Sequence, residues 1–215
     1  MRIAESPGGR EVPKLRTSNA LELPTAIRAG LRHDANMSAK LLGAVLAGGR
    51  SSRFGSDKAL ALLDGCQLIE HAVAALTPYV AQIVICGRTD PRWTSLADLP
   101  APDMGPLGGL AAALAYARDG GFVGVLSTGC DMPVLPDDLA RALMGETAAV
   151  VEGQHLIGYW PTHLADRLLD HIGRSESRSI RGWIAEIEPR RIPLADGALP
   201  NINRPDDLAA WRGKR

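Results

Sequence analysis

The stretch Leu46 to Leu60 reads LAGGRSSRFGSDKAL and holds the residues best suited to chemistry in this chain. Gly48 and Gly49 leave backbone N–H groups open to an anion, because no Cβ stands in the way. Arg50, Arg53 and Lys58 supply positive charge nearby. That combination suits a polyphosphate. The loop is not a Walker A sequence, since Gly55 is followed by Ser-Asp-Lys, and it is not a dinucleotide-binding G-x-G-x-x-G. A second centre is Gly129-Cys130-Asp131-Met132-Pro133. An aspartate that follows a buried strand is well placed to bind Mg²⁺ on a triphosphate. Mg²⁺ takes one or two carboxylates and completes its shell from phosphate and water. The competing role for Asp131, capping a helix near Pro136, is weakened because Asp137 and Asp138 already occupy that helix's first turn.

The elements that position these residues follow from the apolar pattern. Strands are expected at 41–46, 82–86, 122–127, 148–152 and 155–159, because these runs are short and β-rich. Helices are expected at 67–77, 107–118, 136–144, 161–172, 177–187 and 205–212. Asp64-Gly65 marks a tight turn between the first strand and the first helix. The β-α-β alternation predicts an α/β fold with a mainly parallel sheet, helices on both faces and right-handed crossovers. In such sheets ligands sit outside the carboxyl ends of the strands, where both centres fall. Asp137/Asp138 and Asp206/Asp207 each follow a proline at a helix start. They are carboxylates favoured by the helix dipole rather than paired catalytic acids.

Composition narrows the class. With 215 residues, one domain with a sizeable core is expected. Lys+Arg and Asp+Glu are 24 each, so net charge gives no reason to invoke nucleic acid or an acidic membrane as partner. No apolar run reaches membrane-spanning length. Cys66, Cys86 and Cys130 form no C-x-x-C, which argues for a reducing, cytoplasmic setting and against disulfides or structural zinc. Residues 1–40 are read as an N-terminal extension. It is either a disordered tail or, as a start at Met37 would explain, an upstream start-site artefact. Residues 41–215 are expected to form a single domain.

Leu46, Ala47, Gly48, Gly49, Ser51, Arg53, Gly55, Asp57 and Lys58 resemble the first motif, L-A-G-G-x-S-x-R-x-G-x-D-K, of the molybdenum cofactor guanylyltransferases. Phe54 stands where that family usually has Met. The resemblance implies a three-layer, Rossmann-like nucleotidyltransferase fold and transfer of GMP from GTP to the phosphate of Mo-molybdopterin, with Mg²⁺ as cofactor. Cys130-Asp131-Met132-Pro133 resembles the family's metal motif, which maps its aspartate onto Asp131. Asp98 to Gly109, DLPAPDMGPLGG, resembles the family's D-x(n)-G-P-L-x-G, whose aspartate contacts nucleotide or metal. Asp98 fits the usual spacing better than Asp103. Gly105, Gly108 and Gly109 are expected to let backbone approach the ligand.

The carboxyl-terminal pieces are softer. Asn201 and Asn203 resemble the family's N-x-N pair near the cofactor and nucleotide, and alternation along an extended segment would aim both amides to one side. Asn203 equally suits a helix start before Pro205. His155 to Pro161 resembles the segment that leads to the pterin site. Arg178 falls where the family keeps an arginine, suited to the terminal phosphate of molybdopterin; a solvated helix face is the alternative. His71 reads as a helix surface residue. Cys86 departs from an asparagine that some relatives carry, a poor exchange for reading a base or ribose; backbone groups or Arg88 would have to take that contact.

The nucleotide site implied is Leu46, Ala47, Gly48, Gly49, Lys58, Asp98 and Asp131, with Lys58, Arg53 and Asp131 as the catalytic set. Transient contact with molybdenum-insertion proteins and apo-molybdoenzymes is implied as well. Two readings compete. One is a CTP-dependent molybdopterin cytidylyltransferase, whose relatives carry L-A-A-G and G-D-x-P where this chain has Gly48 and Cys130. The other is a non-catalytic carrier of the molybdenum cofactor, which would have little need of Lys58 and Asp131.

Overall fold

In the computed structural model, residues 40–48, 57–174 and 179–194 are described. Leu41–Leu46 forms the central strand β1, buried along its whole length because neither face carries a polar side chain. A short hairpin follows, β2 (Leu62–Leu63) and β3 (Cys66–Gln67), and then α1 (Leu68–Leu76), β4 (Gln82–Cys86), β5 (Thr94–Leu96) and α2 (Gly105–Asp119). The second half comprises β6 (Gly124–Gly129), α3 (Asp137–Leu143), β7 (Ala149–Val151), β8 (Gln154–Pro161), α4 (Ala165–Arg174), α5 (Ile180–Ile187) and β9 (Arg190–Ile192).

The main sheet has the order β5-β4-β1-β6-β8-β7-β9. Only β8 runs against its neighbours, pairing antiparallel with β6 and β7. Alternate residues of each strand serve opposite layers. Leu41, Val45, Ile85 and Leu126 pack with Ile69 and Leu76 of α1 and with Leu139 and Leu143 of α3. Leu42, Ala44, Val84 and Val125 pack with α2 (Leu110, Leu114), α4 (Leu168) and α5 (Trp183). The result is the three-layer, mainly parallel arrangement that the alternating pattern predicts. Burial of these side chains contributes roughly 1.5–3 kcal/mol each.

Four local readings are corrected. β5 and β9 were not expected, because each is only three residues long and half-polar, TSL and RRI. The last strand of the apolar pattern extends to Pro161, and a 3-10 turn delays α4 to Ala165. His71 is not on the surface: it is 1 % exposed, and its Nε2 lies 2.8 Å from the Leu63 carbonyl, tying α1 to the β2–β3 hairpin. Helical periodicity alone does not register that hydrogen bond. The hairpin itself turns at Asp64-Gly65, both at positive φ, as their sequence predicts. The helix expected at 205–212 lies outside the described residues.

Candidate active site

β4, β1 and β6 lie side by side in the sheet, and among the described residues that follow them Asp57, Lys58, Arg88 and Asp131 are brought together. Between β1 and β2 in the chain stands a 3-10 turn, Lys58–Leu60, whose cap is Asp57; its side chain accepts from the Ala59 N–H at 3.2 Å. Lys58 Nζ donates to Asp131 Oδ2 at 3.0 Å, across two loops of the sheet. Asp131 is therefore not the cap of α3, which begins after Pro136 with no side-chain cap. Asp137 instead accepts from the Tyr79 hydroxyl, and burial, aided by this contact, pushes the Tyr79 phenol upward. A Cβ on Gly129 would come within 2.5 Å of Asp131 Oδ1, so glycine two residues before the aspartate leaves space for its carboxylate.

The loop after β4 supplies Gly87 and Arg88. Gly87 has φ +78°, and a Cβ there would lie 2.5 Å from the Gly48 Cα. The two backbones thus touch at the floor of an open cleft of about 820 Å³, lined by Gly48, Gly87, Arg88, Asp98, Asp103 and Gly105 among others. Arg88 places its fork on Asp57, with Nη1 to Oδ1 at 3.0 Å and Nη2 to Oδ2 at 2.9 Å. Cys86 faces away from the cleft, toward Gly109 of α2, and burial pushes its thiol up to about 12. Burial and the Asp131 carboxylate likewise push the Cys130 thiol up to about 12, so neither cysteine is an activated nucleophile.

Asp98 follows β5 and folds back over the end of β4. It is buried, and its Oδ1 has no partner among the described residues. Burial raises its proton affinity, opposed by the Met104 and Gly105 backbone N–H groups. Asp98 and Asp103 both line the cleft, but only Asp98 is buried; Asp103 is exposed, at φ +60°. The glycines of GPLGG serve differently from expectation. Gly105 lines the cleft, whereas a Cβ on Gly108 would strike Met104 and crowd Asp98, and one on Gly109 would press on Cys86. Those two glycines make room for protein side chains rather than ligand.

Of the remaining residues singled out by sequence, Leu46 is a buried strand end and Ala47 donates its N–H to the Cys86 carbonyl at 3.0 Å. Gly49, Arg53, Arg178, Asn201 and Asn203 lie outside the described residues. Gly87 escaped the sequence reading. Its signal was a glycine directly after a buried strand, where only the contact with Gly48 reveals the need. Among the described residues no three or more His, Cys, Asp or Glu side chains gather as a metal cage. A hard cation sharing its shell with phosphate does not require one. Nor is any described helix long and apolar enough to cross a membrane.

Comparison with known proteins bears on the family and the fold. A family model described as the MobA-like NTP transferase domain matches residues 43–191. A molybdenum cofactor guanylyltransferase of Acidiphilium cryptum is 33% identical over 184 residues, covering 80% of this chain and 93% of that protein. Its namesake from Rhizobium meliloti is 35% identical over 195 residues, covering 78% and 89%. Among solved structures, the molybdopterin-guanine dinucleotide biosynthesis protein A of Archaeoglobus fulgidus superposes with a TM-score of 0.60 at 22% identity, covering 81% of this chain and 100% of that one. The 2-C-methyl-D-erythritol 4-phosphate cytidylyltransferase of Thermus thermophilus gives 0.61 at 15% identity, covering 83% and 98%, a likeness of fold alone. The chain belongs to the molybdenum cofactor guanylyltransferase family, enzymes of the nucleotidyltransferase class.

Proposed function

We propose that this protein transfers GMP from GTP to the phosphate of Mo-molybdopterin, forming the guanine dinucleotide cofactor and releasing pyrophosphate. The observation that carries the reading is the 3.0 Å pair between Lys58 and Asp131, which joins the glycine-rich signature to the C-D-M-P loop beside the cleft. The attacking group is an oxygen of the molybdopterin phosphate, already ionised at neutral pH. It bonds to the α-phosphorus of GTP as the bond to the β-phosphate oxygen breaks, so no general base is needed. Two anions repel as they meet, and catalysis rests on charge neutralisation and in-line alignment.

In this reading Lys58 and Arg53 bind phosphate oxygens, and Gly48 and Gly49 cradle them with backbone N–H groups beside Leu46 and Ala47. Asp131 is a hard oxygen donor, its side chain 24% exposed, and so fits Mg²⁺. Bound there, Mg²⁺ would neutralise phosphate charge during transfer. Asp98 sits over Gly87 at the end of β4, two strand positions from β6. At the ordinary strand spacing that is about 10 Å from the Asp131 loop, which favours a contact with the nucleoside over a shared metal. Arg178, Asn201 and Asn203 are assigned to molybdopterin, on the family pattern. Contacts with molybdenum-insertion proteins and apo-molybdoenzymes belong to the same reading, as does a cytoplasmic setting.

Pyrophosphate release with Mg²⁺ and Mo-molybdopterin, comparing GTP with CTP, tests it. GTP should be preferred at least about tenfold. Preference for CTP would make the protein a cytidylyltransferase, and binding without turnover would make it a carrier.

A further inference from the structure

Arg88 is built into the site more firmly than its place in a loop suggests. Its guanidinium makes a two-bond fork with Asp57, the residue that also caps the turn beginning at Lys58. Its side chain is only 18% exposed, it lines the cleft, and its Nε is buried with no partner among the described residues. Asp57 therefore fixes the two terminal nitrogens and leaves a third donor of the same planar group unanswered. A buried donor on a cationic group costs stability until an acceptor arrives, and an anionic oxygen is the acceptor that answers it best.

The location identifies which part of a nucleotide that oxygen belongs to. Arg88 extends from the end of β4 across to Asp57, beyond the end of β1, so its head lies on the Lys58 side of the Gly48–Gly87 contact. Lys58 pairs with Asp131, Arg88 pairs with Asp57, and Asp57 and Lys58 are adjacent in the chain, which places the four charges in a single locality. Among the described residues their two positive and two negative charges offset one another. Asp98, over Gly87, is left to the nucleoside end.

We propose that Arg88 is a phosphate-binding residue for the nucleoside triphosphate, pre-set by Asp57 as its positioning residue. This rests on the nucleotidyltransferase reading above, and it gives the loop after β4 an electrostatic role rather than a base-reading one. The planar guanidinium can hold Asp57 with its terminal nitrogens and still present the Nε–H to a phosphate oxygen, which a lysine ammonium cannot do.

Equilibrium binding of GTP and of guanosine, each also run as CTP and cytidine, tests the proposal on the full chain with Mg²⁺. Arg88→Ala should weaken triphosphate binding about 10- to 100-fold, the range expected for losing a charge-assisted hydrogen bond, and change nucleoside binding less than about twofold. Arg88→Lys should recover part of the triphosphate affinity. Asp57→Asn keeps the cap but weakens the fork, and should lower the triphosphate-to-nucleoside ratio by a smaller factor. Unchanged triphosphate binding in Arg88→Ala, or equal losses for triphosphate and nucleoside, would overturn the proposal. If the wild type prefers CTP, the guanylyl reading fails, while a selective loss of CTP on Arg88→Ala still supports the arginine's role.

Discussion

The cleft and the α4–α5 helix pair treat charge in opposite ways. Between α4 and α5, Glu186 gathers His171 at 2.6 Å, Arg174 at 2.7 Å and Arg167 at 3.5 Å, while His171 and Arg167 also lean on the Trp183 ring. That carboxylate is held below its ordinary range, chiefly by the His171 hydrogen bond. In the cleft, Asp98 is buried with an unanswered oxygen and held above its ordinary range. One region pairs its carboxylate three times over, although His171 Nε2 and Trp183 Nε1 beside it are buried with no partner among the described residues. The other leaves polar atoms to be completed by a ligand, and such buried, perturbed groups mark functional sites.

The comparison breaks most sharply at the Lys58–Asp131 pair. Asp131→Ala or Lys58→Ala should lower kcat by about 10²–10³-fold, the scale of losing one preorganised electrostatic contact, with an unchanged far-ultraviolet circular dichroism spectrum. Near-normal rates in either variant would remove that residue from the chemistry. Next comes Gly87→Ala. At φ +78° and 2.5 Å from the Gly48 Cα, the new Cβ should cost about 1–3 kcal/mol of stability and distort the cleft floor. Denaturant unfolding together with the KM for GTP would register both effects.

Asp98→Asn sharpens the contrast because activity and stability should move apart. A carboxyl with a raised folded-state value withholds stability once it ionises, and that stability returns as pH falls. The variant should therefore be more stable than wild type at neutral pH by about 0.5–2 kcal/mol, and so melt at a higher temperature. The gap should close toward the ordinary carboxylate range near pH 4, and KM for GTP should be several-fold worse. A lower melting temperature at neutral pH would contradict the burial argument. Smallest in its effect on catalysis is Glu186→Gln, which should lower the melting temperature while leaving kcat and KM within about twofold.

How much of this was legible in the sequence depends on the range of the interaction. Strand β1, helices α1 and α2 and the sheet class were readable, because continuous apolar runs and 3.6-residue periodicity are local signals. Lys58 and Asp131 were readable as chemistry, although the 3.0 Å pair joins residues 73 positions apart. The burial of His71, the fork between Arg88 and Asp57 and the packing of Gly108 against Asp98 depend on the tertiary fold and leave no periodic trace. β5 and β9 escaped because three-residue edge elements with polar side chains resemble loop.

The meeting of Gly48 and Gly87 also constrains how this enzyme's base preference could be changed, in the laboratory or by descent. A Cβ at residue 48 would sit 3.0 Å from the Gly87 Cα, tight enough that the neighbour must give by a few tenths of an ångström. The two positions are one epistatic unit. Any exchange of purine for pyrimidine preference that starts at residue 48 must carry a compensating movement of the β4 loop, and with it Arg88.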